Sequence, residues 1–143
     1  MHYELLGEIC ELYAGSDYFC KSKIFCFKNV LIPALKYDRY FIWREESGRL
    51  TGFCAYAFLS QEEIDDDIFN GEEVFQRTGS GIPHFCHFVC ETGAKDVRRF
   101  ISHIRGELSR IYPEDIYASG TRVYPSGKTR PERWIRKISH GPI

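Results

Sequence analysis

Four side chains able to do chemistry fall within seven residues: His84, Cys86, His87 and Cys90. Imidazole and thiolate both ligate zinc, and structural zinc sites take ligand pairs from two places in a chain. In a straight strand His84, Cys86 and Cys90 share one face and His87 points to the other. Four tetrahedral ligands do not converge from such a strand, and no metal is expected. His87 is better suited to acid–base work. Phe85, Phe88 and Val89 flank it, so its ring should be partly desolvated. Burial disfavours the charged imidazolium, and neutral imidazole near pH 7 is the form a general base needs.

The elements that position this strand follow from periodicity. Tyr3–Ala14 carries Leu5, Leu6, Ile9, Cys10, Leu12 and Tyr13 at helical spacing, and Gly15 ends the helix. Ser16–Ser22 is a loop. Ile24–Leu35 is apolar and fits either class, with Pro33 limiting any helix. Arg39–Glu45 reads as a strand, with Tyr40, Ile42 and Arg44 opposing Phe41 and Trp43. It turns at Ser47-Gly48 into a partner, Leu50–Leu59. Ser60 with Glu63 forms a capping box for a short acidic helix. Gly71–Gly81 reads as polar, glycine-rich loop. His84–Cys90 is a buried strand. Asp96–Tyr112 is an amphipathic helix with Val97, Phe100, Ile101, Ile104 and Leu108 on one face. Ile116–Val123 is a strand, and beyond Tyr124 the chain is polar and basic. This order gives an α+β class: residues 1–143 as one domain, a mostly antiparallel sheet with flanking helices.

Composition bounds the function. Of 143 residues, 43% are hydrophobic and 15% aromatic, enough for one core without covalent staples. The net charge is −1, which gives no global attraction to nucleic acid. Charge is segregated, however. Glu62, Glu63, Asp65, Asp66, Asp67, Glu72 and Glu73 make an acidic middle. Arg122, Lys128, Arg130, Arg133, Arg136 and Lys137 stand against Glu132 alone near the end. Trp134 inside that run favours an ordered contact. Met1–Tyr13 has no basic stretch, and Glu4, Glu8 and Glu11 interrupt its apolar positions, so no export signal is expected. No run reaches 18 apolar residues, so no membrane span is expected. The expected location is the cytoplasm. The six cysteines (Cys10, Cys20, Cys26, Cys54, Cys86, Cys90) are read as reduced and mostly buried.

Several segments, in order, resemble the toxin-activating lysine acyltransferases, enzymes that attach fatty acyl chains to lysines of RTX protoxins. They are Leu6-Gly7, Ala14-Gly15-Ser16, Asn29–Leu35, Tyr56-Ala57-Phe58-Leu59-Ser60, Ser80–Gly93, and Arg122-Val123 with Pro125 and Lys128. Typical members continue beyond the point matching Ile143. The resemblance implies a small acyltransferase fold of the acetyltransferase-like (GNAT-like) type. It also implies a loop histidine and a strand aspartate as the catalytic pair. Here the loop reads Gly15-Ser16-Asp17-Tyr18-Phe19-Cys20-Lys21, no histidine lies between His2 and His84, and the aspartate position falls on His87.

Three consequences are open. His87 acts as the base, with Asp17 orienting it from the loop. Cys20 accepts the acyl chain as a thioester, activated by His87. Or the scaffold only binds a protein, as an inhibitor or interaction module. Arg122 and Lys128 are the candidate donor-binding cations, Arg122 for a phosphate or carboxylate; a solvated strand-end arginine is the equal alternative. Gly79-Ser80-Gly81 is too short for a phosphate loop, which fits the acyl carrier protein that the resemblance implies as donor. Carrier proteins are acidic, and the run from Lys128 to Lys137 is a matching docking surface, unless it is a solvated tail. The remaining expected partners are a protein target and a second copy of the chain.

Overall fold

A computed structural model describes residues 2–16, 24–66, 71–77, 81–91, 93–111, 116–123 and 129–138. Five strands form one sheet in chain order: β1 (Tyr40–Arg44), β2 (Leu50–Leu59), β3 (Ile82–Cys90), β4 (Ile116–Val123) and β5 (Thr129–Ile138). All neighbours run antiparallel except β3 and β4, which are parallel. A parallel pair requires a crossover, and α6 (Ala94–Ile111) supplies it. The architecture is the expected α+β class.

Helices cover both faces of the sheet. On the first face α1 (Tyr3–Ala14) lays down Leu5, Ile9, Leu12 and Tyr13, one buried side. They pack with Phe53, Ala55, Ala57 and Leu59 of β2 and with Leu31, Ala34 and Leu35. On the second face α6 packs Phe100, Ile104 and Leu108 on Phe41, Cys54, Tyr56 and Phe58. Ile101, expected on that buried side, is 41% exposed at its margin. Every residue of β2 is buried, as a strand covered on both sides must be. Alternation in β1 matches the sequence pattern: Tyr40 and Ile42 join the first core, Phe41 and Trp43 the second.

The ambiguous stretch at Ile24–Leu35 is helical. A short α2 (Ile24–Cys26) widens into a π-helical turn at Phe27–Leu31 and continues as α3 (Ile32–Lys36). The Ile32 N–H donates to the Phe27 carbonyl, five residues back. The wide turn sits just ahead of Pro33, whose ring would crowd a regular α-turn. The Asn29 amide donates to the Phe25 carbonyl at 2.9 Å.

Two segments depart from the pattern reading. Within the expected loop Gly71–Gly81, Glu72–Gln76 forms α5, and its Val74 and Phe75 are fully buried against the first face. Within the basic end, Thr129–Ile138 is a ten-residue strand on the sheet's edge, not a tail. α4 (Gln61–Asp66) starts with the expected capping box: Glu63 N–H donates to Ser60 Oγ at 3.1 Å and Ser60 N–H to Glu63 Oε1 at 2.9 Å. No helix among the described residues is long and apolar enough to cross a membrane.

Candidate active site

A bulge in β3 builds the site. Ala55 pairs with His87 and Tyr56 with Phe85, which leaves Cys86 as an extra residue. The bulge resets the alternation. His84 and His87 would lie on opposite faces of a straight strand. Instead they stand opposite Ala57 and Ala55, both of the first core. Cys86 packs on that core as well, whereas Cys90 packs on the second. The face assignment expected of a straight strand is therefore corrected. The small alanines at 55 and 57 leave room for the two imidazoles. Among the described residues no group of three or more histidines, cysteines or carboxylates is arranged to hold a metal.

His87 reaches the end of α1. Its Nδ1 lies 2.7 Å from the Tyr13 hydroxyl, and the two rings are 5.7 Å apart and tilted by 45°. Tyr13 is 2% exposed. Burial drives the imidazole down to about pKa 4 and raises the phenol well above its ordinary value. Both rings are therefore neutral at pH 7, as the flanking apolar residues imply for His87. The second imidazole is tied down: His84 Nδ1 lies 2.6 Å from Ser119 Oγ of β4, and both residues are buried. Burial also raises the Cys86 and Cys54 thiols, which suppresses thiolate at either position.

The parallel ladder ends beside this group. Among the described residues β3 and β4 pair at His84 with Ser119 and at Phe85 with Gly120. From Cys86 to Cys90 the strand has no partner on β4 among the described residues. A gap in the sheet thus begins one residue before His87.

Among the other candidates, Arg122 lies on β4, just past Gly120, the last residue paired with β3. Asp17, Cys20 and Lys128 lie outside the described residues. Tyr13 was not among the sequence candidates, because it reads as one more apolar position of an amphipathic helix. Its one signal is general: a buried tyrosine hydroxyl needs a partner.

The family model of HlyC, the RTX toxin acyltransferase family, matches residues 1–79. The chain belongs to this family. The match takes in Tyr13 and the β1–β2 hairpin and ends before β3, so His87 stands outside it. No curated protein matches the chain. Membership carries acyl transfer to a protein toxin as the activity of the group.

Proposed function

We propose that this protein transfers a fatty acyl group from an acyl carrier protein thioester to a lysine side chain of a toxin protein, with His87 as general base. The observation that carries the reading is the neutral His87, aimed by a bulge and held by Tyr13, at the edge of the β3–β4 gap. Among the described residues β4 pairs with β3 no further than Phe85, and an extended donor arm with amide groups is suited to lie along the edge that follows.

The chemistry follows from the two neutral rings. With a proton on Nδ1 donated to the Tyr13 oxygen, Nε2 presents its lone pair. A base near pKa 4 is too weak to strip a solvated ammonium, so the lysine must arrive neutral, the form an apolar site favours. Its amine nitrogen attacks the thioester carbonyl carbon. The adduct nitrogen, now cationic and far more acidic, passes a proton to Nε2. The carbon–sulfur bond breaks, and the leaving sulfur takes that proton back. Arg122 and Lys128 serve as cations for the donor's phosphate, Asp17 orients His87 from the loop, and Cys20 is a packing residue or a transient acyl acceptor.

One observation favours the second reading, a catalytically silent binding protein. Tyr13 is neutral, so the His87 imidazolium gains no charged partner there. Intact-mass measurement of a candidate toxin after incubation with acyl carrier protein separates the two. An acyl adduct with the wild type, reduced about 10²–10⁴-fold by His87→Ala, is expected for base catalysis. Full biological activity of His87→Ala, with loss on changing Arg133 and Arg136, would establish the binder.

A further inference from the structure

α6 turns one face to its core and a second, strongly basic face to solvent. Phe100, Ile104 and Leu108 define the buried side. Lys95, Arg98, Arg99, Arg105 and Arg110, at helical spacing, are all exposed on the opposite side. The two acids of the helix, Asp96 and Glu107, lie on its flank. Asp96 sits 3.9 Å from Arg99, and Glu107 pairs with Arg110. No ion pair engages Lys95, Arg98 or Arg105 among the described residues. Five cations thus share one helix face in a chain of net charge −1. Ile101, 41% exposed, adds an apolar contact at the margin.

The chain leads from the strand that carries His87 directly into this helix. α6 begins four residues after Cys90, at the end of the sheet where β3 and β4 have parted. Lys95 and Arg98 belong to its first turns, on the second face of the sheet, and the gap opens from there toward His87 on the first. We infer that the exposed face of α6 is the docking surface for the acidic carrier protein, which delivers its acyl arm past the helix's first turns into the gap. The inference rests on the acyl-transfer reading above and names its donor's binding surface. Complementary charge of this kind acts through encounter rate and orientation. It assigns the role to α6 rather than to the basic residues of β5.

The test is titration of acyl carrier protein into the full chain by calorimetry at low salt. The proteins compared are wild type, Arg98→Glu/Arg105→Glu, the milder Arg98→Gln/Arg105→Gln, Arg133→Glu/Arg136→Glu and His87→Ala. Both α6 variants carry changes at exposed positions, and circular dichroism checks that they fold. The expected result is at least tenfold weaker binding for the α6 reversal, a smaller loss for the glutamine pair, and unchanged binding for His87→Ala. Binding should also weaken with salt less steeply in the α6 variants. Equal affinity of wild type and α6 reversal overturns the inference, as does loss confined to the Arg133/Arg136 variant. No carrier binding by wild type, or tighter binding to phosphatidylglycerol vesicles or RNA, overturns it too. Carrier binding through α6 with no acyl adduct on any toxin supports the docking surface and sinks the acyl-transfer reading alone.

Discussion

Tyr13 and His87, 74 positions apart in sequence, meet at 2.7 Å between hydroxyl and Nδ1. The contact joins the last turn of α1 to the bulge of β3. Tyr13 touches His87 rather than the reacting atoms. Tyr13→Phe keeps the ring packing against Phe53 and removes only the hydrogen bond. Its net worth to folding is about 1 kcal/mol. The expected result is a folded protein whose kcat falls by less than the His87→Ala loss, with KM little changed. Kinetics beside a thermal melt would check it; a lowered melting temperature with full kcat would make Tyr13 purely structural.

The His87 titration sets a pH dependence of stability. Its pKa drops from about 6.5 unfolded to about 4 folded, because burial penalises the imidazolium. Between those values the unfolded chain binds more protons than the folded one. Stability is therefore full above pH 6.5 and falls as pH is lowered toward 4, by roughly 3 kcal/mol at most. Glu63 acts in a lower window. Hydrogen bonds from Arg77, and then from the Ser60 backbone, hold its carboxyl down at about 2. Its contribution is present above its ordinary value and is lost as pH falls toward 2. Denaturant melts from pH 7 to 3 should show the upper loss in wild type and its absence in His87→Ala. Glu63→Gln should flatten only the lower one.

Where local chemistry decides structure, the sequence was readable. Ser60 and Glu63, three residues apart, specify both halves of the capping box, and the alternation of β1 specifies its two faces. What stayed hidden depends on distant partners. Val74 and Phe75 sit between acidic and glycine-rich segments, so no helical period shows, yet the first core recruits both. The strand Thr129–Ile138 is too basic to read as a buried strand, and its pairing with β4 comes from the sheet edge. The bulge at Cys86 leaves no mark in the strand's own composition, so a straight-strand reading keeps His84 with Cys86 but puts His87 and Cys90 on the wrong faces. Of the candidate site, His87 and its neutrality were legible from its apolar neighbours, while Tyr13 was not.

The hidden helix α5 makes a quantitative test. Phe75 is fully buried with Val74 beside it. Phe75→Ala should cost about 3–5 kcal/mol, the range for emptying an aromatic site in a core. Ser60→Ala, which removes only a cap, should cost about 1 kcal/mol. Chemical denaturation of both variants gives the comparison. A Phe75→Ala loss no larger than the cap's would mean that residues 72–76 do not pack as a helix on the first face.

The bulge itself can be removed. Deleting Cys86 leaves His84, Phe85, His87 and Phe88 in simple alternation, opposite Ala57, Tyr56, Ala55 and Cys54 as before. The ladder register therefore survives, and the cost is the burial of one small side chain, on the order of 1–2 kcal/mol. What the deletion changes is the local twist and the aim of the His87 ring, since a bulge bends its strand. The expected outcome is a folded protein with near-native circular dichroism and an acyl-transfer rate as low as that of His87→Ala. Nuclear magnetic resonance should show the His87 ring released from Tyr13, its titration moving up toward 6.5 as water reaches it. If the deletion variant keeps wild-type activity, the bulge does not aim the base. If it fails to fold while Cys86→Ala folds, the extra residue serves the twist of the sheet rather than the chemistry.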